Sequence, residues 1–154
     1  MVSRVNLKEG SYLKNHPPSA SSPAVSAAMR GNKAEDTSPE LLLRSALWKY
    51  GIRGYRKHLK HLPGRPDIAF SSCQLAVFVH GCFWHRCPKC NIPIPRTNTS
   101  YWREKLRRNI ERDKQTYKQL KQAGWRKMII WECEVQQSIE RCVDKIYQEI
   151  KNHP

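Results

Sequence analysis

Apolar and polar positions in the first half of the chain predict one helix followed by two short buried strands. Thr37-Ser38-Pro39-Glu40 is typical of a helix start, with proline in the first turn and a carboxylate placed for a capping box. The apolar positions that follow predict a helix from Leu41 to Tyr50, ended by Gly51. After a basic loop and a proline-glycine turn, two apolar runs, Ile68 to Phe70 and Leu75 to Val79, predict strands.

The second half of the chain alternates helix and strand again. An apolar stripe at helical spacing, closed by Gly124, predicts a long helix with the inner residues Trp102, Leu106, Ile110, Tyr117 and Leu120. Met128 to Trp131 predicts another buried strand, and Val135 to Ile150 predicts a last amphipathic helix. The order helix, strands, helix, strand, helix predicts an α/β fold.

The N-terminal segment differs in composition from the rest of the chain. Residues 15 to 28 are mostly Pro, Ser and Ala without periodicity, so we expect residues 1–28 to form a flexible polar leader and residues 29–154 to form one folded domain. The N-terminus lacks the apolar core of a signal peptide, and the longest apolar run, Leu75 to Val79, is too short to span a bilayer. We therefore expect a cytoplasmic protein without a membrane anchor.

The charge of the chain points to a polyanionic partner. Lys and Arg number 28 against 13 Asp and Glu, which gives a net charge of +15 and a pI near 9.9. Nucleic acid and an anionic membrane are both polyanions, and the absence of a spanning segment favours nucleic acid. The first turn of the long helix, with Arg103, and the patch formed by Lys57, His58, Lys60 and His61 are candidate phosphate contacts.

Four of the six cysteines are spaced like metal ligands: Cys82, Cys87, Cys90 and Cys133. Four thiolates satisfy tetrahedral Zn²⁺ and leave no position for water, so the predicted site is structural. A secreted disulfide framework and a set of unrelated buried cysteines are the alternatives, and His85 could replace one thiolate. Cys73 and Cys142 are expected to be free thiols.

Candidate catalytic residues lie at the ends of the predicted strands. Asp67, behind Gly-Arg-Pro and before an apolar strand, could hold a hard cation beside a phosphate, although Pro-Asp before a strand, taken alone, is more often a turn. The strand that follows carries no second acid with a lysine, so proton transfer would fall to histidine. His80 and His85 flank the start of the segment with Cys82, Cys87 and Cys90, which we call the cysteine loop. Imidazoles can transfer protons near neutral pH.

Seven ordered motifs between Met29 and Val135 resemble the very-short-patch-repair endonucleases, which nick DNA beside T:G mismatches. They are Asp36-Thr37-Ser38-Pro39-Glu40, Leu62-Pro63-Gly64-Arg65-Pro66-Asp67, Phe78-Val79-His80-Gly81-Cys82-Phe83-Trp84-His85, Thr97-Asn98-Thr99, Asn109-Ile110-Glu111-Arg112-Asp113, Gly124-Trp125-Arg126 and Trp131-Glu132-Cys133. The resemblance implies a restriction-endonuclease-like single domain, with a mixed central sheet flanked by helices and a structural zinc site.

The resemblance also implies roles for the active-site residues. Asp67 and the backbone carbonyl of Val79 would bind Mg²⁺, His85 would be the general base, and His80 would assist at the phosphate or the leaving group. Glu40 would support this cluster, although on sequence grounds alone it is a capping carboxylate at a helix start. Val79 replaces a hydroxyl side chain often found in relatives, and Cys87 and Cys90 stand where relatives can have histidine ligands.

The implied substrate is double-stranded DNA with a T:G mismatch, bound by a monomer. Aromatic side chains would enter the weakened base step, and the implied DNA contacts are Met29, Phe83, Trp84, Trp102, Arg103 and Asn109. Core packing is the favoured role of the other rings, Trp125 and Trp131. Other mismatch-repair proteins are candidate partners. The rival hypothesis is a non-catalytic zinc module that binds DNA or RNA, and the retention of all three candidate residues, Asp67, His80 and His85, favours an enzyme.

Overall fold

The computed structural model describes residues 35 to 153 and, before them, only Ser19 and Pro23. Met29 and most of the predicted leader thus lie outside the described residues. The elements, in chain order, are α1 (Ser38–Lys49), β1 (Tyr55–Arg56), β2 (Ile68–Phe70), β3 (Leu75–His80), α2 (Thr99–Gln122), β4 (Arg126–Trp131), α3 (Glu132–Gln137) and α4 (Ile139–Lys151).

The four strands form one mixed sheet in the order β1-β2-β3-β4. β2 is antiparallel to both of its neighbours, β1 and β3, and β2 and β3 form a hairpin in which Ile68 faces Val77. The last pair, β3 and β4, is parallel, and α2 makes the crossover between them. Because parallel neighbours end at the same edge of a sheet, the residues that follow His80 and Trp131 meet there.

Each face of the sheet has its own core, because successive side chains of a strand point to opposite faces. Leu75 and Val77 of β3 pack with apolar residues of α1, α3 and α4, namely Leu43, Leu47, Val135, Val143 and Ile146. Ala76 and Phe78 pack on the other face with Leu120 of α2. The same alternation places His80 on the α2 face of the sheet.

The α/β architecture predicted from the sequence is confirmed, with a mixed sheet between helices. The helix that begins at Ser38 also matches the prediction, but the expected capping box takes another form. Thr37 donates its hydroxyl to the Glu40 carboxylate instead of accepting a backbone N–H, and Glu40 accepts the N–H of Asp36. The carboxylate therefore holds the residues before the helix.

Two elements differ from the sequence prediction. The two-residue strand β1 was not predicted, because it is too short to show a period of two. The predicted final helix from Val135 to Ile150 is wrong as a single element: it is two helices, α3 and α4, separated at Ser138. Ser138 is extended (φ −160°), and its hydroxyl accepts the N–H of Arg141, so it caps the second helix. Among residues 35–153, no helix is both long and apolar enough to cross a bilayer.

Candidate active site

A cleft of about 930 Å³ opens where β3 ends, between α2 and the start of α1. The four residues predicted to be catalytic, Asp67, His80, His85 and Glu40, all line it, and so does Val79. These residues come from α1, the loop before β2, the end of β3 and the cysteine loop. The fold therefore brings the predicted catalytic residues together.

Asp67 lies at the open end of the β2–β3 hairpin. The register that pairs Ile68 with Val77 sets Asp67 beside the last residues of β3, and its Oδ2 accepts the N–H of Val79 at 2.7 Å. Its Oδ1 has no hydrogen-bond partner among the described residues. One carboxylate oxygen is therefore fixed by the sheet, and the other is available to a ligand in the cleft.

The surroundings of Asp67 disfavour its ionised form. Burial raises the pKa of this carboxyl group to about 6, and the negative charge of Glu40 acts in the same direction. The N–H of Val79 opposes this shift only in part. A cation at the free oxygen would offset the unfavourable burial of the charge, so the site fits a hard metal ion that prefers oxygen ligands. Magnesium commonly takes one or two carboxylates and keeps its remaining positions for water and phosphate.

Glu40 lines the cleft together with Asp36 and Asp67, and we call this part the carboxylate end of the cleft. It is 3% exposed, and it accepts the Asp36 N–H at 2.9 Å and the Thr37 hydroxyl at 2.7 Å. Asp36 in turn forms an ion pair with Arg44 and lies 3.4 Å from His58. The Arg44 guanidinium and His58 lower the pKa of Asp36. Glu40 thus has the structural role that its position at the helix start predicts, while it also lines the cleft.

Two stacked imidazoles occupy the other side of the cleft. The rings of His80 and His85 lie 3.7 Å apart and nearly parallel, at an interplanar angle of 10°. His85 Nδ1 is 2.5 Å from a carboxylate oxygen of Asp113 on α2. If the Nδ1 proton is donated to Asp113, the Nε2 lone pair of His85 is left to accept another proton. This arrangement is the one that a histidine general base requires.

His80 is held by a different partner. Its Nε2 lies 2.5 Å from the hydroxyl of Tyr117, one turn along α2 from Asp113. Burial lowers the pKa of His80 to about 3, and the neighbouring His85 adds to the effect. His80 is therefore a neutral imidazole at neutral pH. Burial also raises the pKa of Tyr117, so its hydroxyl keeps its proton.

The four predicted zinc ligands form one cluster. The sulfur atoms of Cys82, Cys87, Cys90 and Cys133 all lie within 4.8 Å of one another. Cys82 follows β3, and Cys133 lies in the first turn of α3, directly after β4, so the parallel strands bring these distant cysteines together. The Cys133 N–H donates to Cys82 Sγ at 3.4 Å. His85 is not part of this cluster, which excludes it as the fourth ligand in this arrangement.

The geometry of the cluster fits zinc. A tetrahedral site with Zn–S bonds of about 2.3 Å has sulfur atoms about 3.8 Å apart, and Cys87 and Cys133 have this separation, 3.8 Å. Burial raises the pKa of the Cys82 and Cys133 thiols. Burial also acts on Cys87, but the N–H groups of Cys90 and Lys89 offset it, so its pKa is lowered. A bound dication would keep all four as thiolates.

A cluster of half-buried aromatic rings lies beside the histidines. Phe83 and Trp84, from the cysteine loop, meet Trp102 in the first turn of α2, with centroid distances of 5.1 Å for Phe83–Trp84 and 5.5 Å for Phe83–Trp102. Tyr101, which the sequence did not single out, packs on Trp102 at 5.3 Å. We call Phe83, Trp84 and Trp102 the aromatic cluster. The predicted wedge residues are thus adjacent in space.

Comparison with known proteins agrees with the geometry. The family model for the DNA mismatch endonuclease Vsr matches residues 21–91. Type II nicking enzyme V.NaeI of Lentzea aerocolonigenes is 44% identical over 125 residues, which are 77% of this chain and 74% of that protein. DNA mismatch endonuclease Vsr of Escherichia coli K12 is 39% identical over 105 residues, 68% of this chain and 67% of that protein.

The chain belongs to the Vsr family of DNA mismatch endonucleases. It is therefore an endodeoxyribonuclease, as the motifs indicated. Type II nicking enzyme V.NmeAIP of Neisseria meningitidis, 40% identical over 77% of this chain and 86% of its own length, supports the same assignment.

Other predicted DNA contacts of this Vsr-family chain have mixed surroundings. Arg103 is exposed in the first turn of α2. Asn109 is half-buried, and its amide donates to the Trp84 carbonyl at 3.1 Å, so it holds the cysteine loop. In the second basic patch, His58 faces Asp36, whereas Lys57 and Lys60 are exposed. The ring of Trp131, expected in the core, lies 5.5 Å from the ring of His80.

The sequence indicates Asn109 only as a DNA contact and gives Asp113 and Tyr117 no role in the site, although these three residues of α2 hold it. Asn109, Asp113 and Tyr117 follow one another at intervals of four on α2, so they lie on one face, and we call them the polar stripe. They contact, in order, the Trp84 carbonyl, His85 and His80. The signal was present as a polar series at helical spacing, but a solvent-exposed face gives the same signal.

Proposed function

We propose that this protein nicks one strand of double-stranded DNA beside a T:G mismatch by magnesium-dependent hydrolysis of a phosphodiester bond, and that this nick initiates very-short-patch repair. The protein acts as a monomer in the bacterial cytoplasm, where a reducing environment keeps zinc-binding thiols available. One observation carries the proposal. A carboxylate with a free oxygen, Asp67, and a histidine with a free Nε2, His85, line the same cleft beside the aromatic cluster.

Each residue has a distinct role in the proposed reaction. Asp67 and the Val79 carbonyl would hold Mg²⁺, which when bound polarises the scissile phosphate and stabilises the charge that develops on it. His85, oriented by Asp113, takes a proton from the attacking water. His80 is neutral and donates a hydrogen bond to a phosphate or leaving-group oxygen. Glu40 fixes the wall of the cleft through Asp36 and Thr37.

The cysteine cluster supports the site without taking part in the reaction. A Zn²⁺ ion with four thiolate ligands has no open position for water, so its role is structural. The loop that it would close carries His85, and His80 immediately precedes it. The four cysteines, with zinc bound, would therefore fix the position of both imidazoles relative to Asp67.

Mismatch recognition is assigned to the aromatic cluster. Insertion of aromatic side chains into a base step unstacks it, and this insertion costs less free energy where pairing is already weak. The words "mismatch" and "nicking" in the names of the relatives support this substrate. The net charge of +15 supplies attraction to the phosphate backbone that does not depend on sequence.

The test uses purified, zinc-containing full-length protein and two end-labelled duplexes that differ only in carrying T:G or T:A at one position. We expect a Mg²⁺-dependent nick in one strand of the T:G duplex and little cutting of the T:A duplex. Equal cutting of both duplexes at every salt concentration would contradict mismatch specificity and support a general nicking nuclease. Binding without cutting would support the non-catalytic zinc module instead.

A further inference from the structure

The polar stripe of α2 assigns one partner to each imidazole. Asp113 contacts His85 Nδ1, and Tyr117, one turn later, contacts His80 Nε2, each at 2.5 Å. The two rings stack on each other at a centroid distance of 3.7 Å. The sequence motifs include Asp113 but not Tyr117, which the apolar periodicity of the helix places in its inner stripe. The hydroxyl of Tyr117 is therefore unexplained by core packing.

The hydrogen-bonding capacity of Tyr117 restricts the state of His80. In the described part of the chain, the Tyr117 hydroxyl has one hydrogen-bond partner, His80 Nε2. A neutral imidazole has one nitrogen that donates and one that accepts. If the hydroxyl accepted from Nε2, its own proton would have no acceptor among the described residues. If it donates to Nε2, that nitrogen carries no proton, so the ring is neutral and its proton is on Nδ1. Nδ1 has no partner among residues 35–153, and His80 lines the cleft.

We infer that Tyr117 is a positioning residue: its hydroxyl donates to His80 Nε2 and fixes the neutral ring with its proton on Nδ1, as a hydrogen-bond donor for a phosphate oxygen in the cleft. This inference rests on the proposed function, in which His80 assists at the phosphate. Together with Asp113, Tyr117 makes α2 the element that sets the orientation of both histidines. The two partners differ in kind. The Asp113 carboxylate favours a base, His85, that becomes charged. The Tyr117 hydroxyl favours a hydrogen-bond donor, His80, that stays neutral.

The ring of Tyr117 also has a packing role, which must be separated from the role of its hydroxyl. The ring packs on Phe78 in a T-shaped arrangement, with 5.8 Å between the ring centroids, and the ammonium group of Lys127 lies 4.6 Å from the centroid of the Tyr117 ring. Tyr117→Phe keeps this ring and removes only the oxygen. Tyr147→Phe removes the same atom from an exposed ring on α4, outside the cleft, and is the matched control.

The experiment measures single-strand nicking of the T:G duplex and the His80 tautomer in the zinc-containing full-length protein. For Tyr117→Phe we expect kcat to fall about tenfold, which is smaller than the rate loss expected when a positioned acid–base group is itself removed. The KM for DNA should stay within about twofold of the wild-type value. Tyr147→Phe should match wild type. In ¹⁵N NMR spectra, His80 of the wild type should carry its proton on Nδ1, and Tyr117→Phe should mix the two tautomers.

Two results would overturn the inference: a His80 proton on Nε2 in the wild type, or wild-type kcat in Tyr117→Phe. A third variant, His80→Ala, separates this inference from the proposed function. Slow nicking by His80→Ala together with normal nicking by Tyr117→Phe would reject only the role of Tyr117. Wild-type nicking by both variants would reject the role of His80 in the reaction, and the inference with it.

Discussion

The cysteine cluster and the carboxylate end of the cleft differ in what completes them. Four sulfur atoms lie within 4.8 Å of one another and can surround a cation with no other ligand. At the carboxylate end, Asp67 offers one free oxygen, and its charge is disfavoured by burial. The first site is complete in its protein ligands, whereas in the proposed function the second would share its cation with water and a phosphate of the substrate. The proposed function thus assigns stability and catalysis to separate metal sites.

The largest effect should come from the incomplete site. Asp67→Asn removes the charge that holds the cation but keeps the volume and the contact region of the side chain. Losing several kcal/mol of metal stabilisation corresponds to a decrease of roughly a thousandfold in the nicking rate. DNA affinity, measured by fluorescence anisotropy, should be unchanged or higher because a negative charge is lost. Asp144→Asn, at an exposed position of α4, is the control and should nick at the wild-type rate.

The complete site should affect stability before it affects catalysis. Cys133→Ala removes the one ligand that lies outside the cysteine loop, and we expect loss of bound zinc and a decrease in unfolding free energy of about 3 kcal/mol or more, since metal-binding energy is folding energy. Zinc content by mass spectrometry and the melting temperature measure both effects. Cys142→Ala, which changes a buried cysteine outside the cluster, should keep one zinc per chain. Zinc retained by Cys133→Ala would contradict the four-thiolate site.

The raised pKa of Asp67 gives a pH dependence that only the carboxylate end should show. Between pH 3.8, the ordinary pKa, and about pH 6, the Asp67 carboxyl group holds its proton in the native state but loses it in the unfolded state. The stability of the magnesium-free protein, relative to Asp67→Asn, should therefore fall as pH rises through this range and then level off. The total change is at most about 3 kcal/mol. Denaturation of both proteins at several pH values measures it, and parallel curves would show that Asp67 has an ordinary pKa.

The smallest effect concerns the aromatic cluster, of which Trp84 lines the cleft. Trp84→Ala should reduce nicking of the T:G duplex by about 10- to 100-fold, because stacking is worth about 1–3 kcal/mol per base. General DNA binding should change little, since phosphate contacts remain. The comparison with Trp125→Ala, which removes a ring from the core cluster on the α2 face, separates stacking from packing. An equal loss of general binding in Trp84→Ala would contradict a role in mismatch recognition.

The two sites also differ in how far the sequence predicts them. Three of the cysteines are close together in the chain, and their spacing identifies a metal loop without any knowledge of the fold. Asp67 was found through its turn and the motif around it. Asp113 and Tyr117 were not assigned, because their function depends on the strand that α2 packs against, which periodicity along the helix does not reveal. Ser138 was missed because apolar spacing continues across the break between α3 and α4.

The parallel pairing of β3 and β4 has a consequence for the order of folding. Three of the proposed zinc ligands leave the ribosome before α2, but Cys133 follows β4, so the fourth exists only after the whole crossover has been synthesised. Closing such a long loop costs entropy before the contact is gained. Tight capture of the proposed zinc ion would therefore come late and would mark a chain whose sheet is already assembled. A nascent chain stalled before β4 would have the histidines but no closed loop to hold them, and hence no competent nuclease.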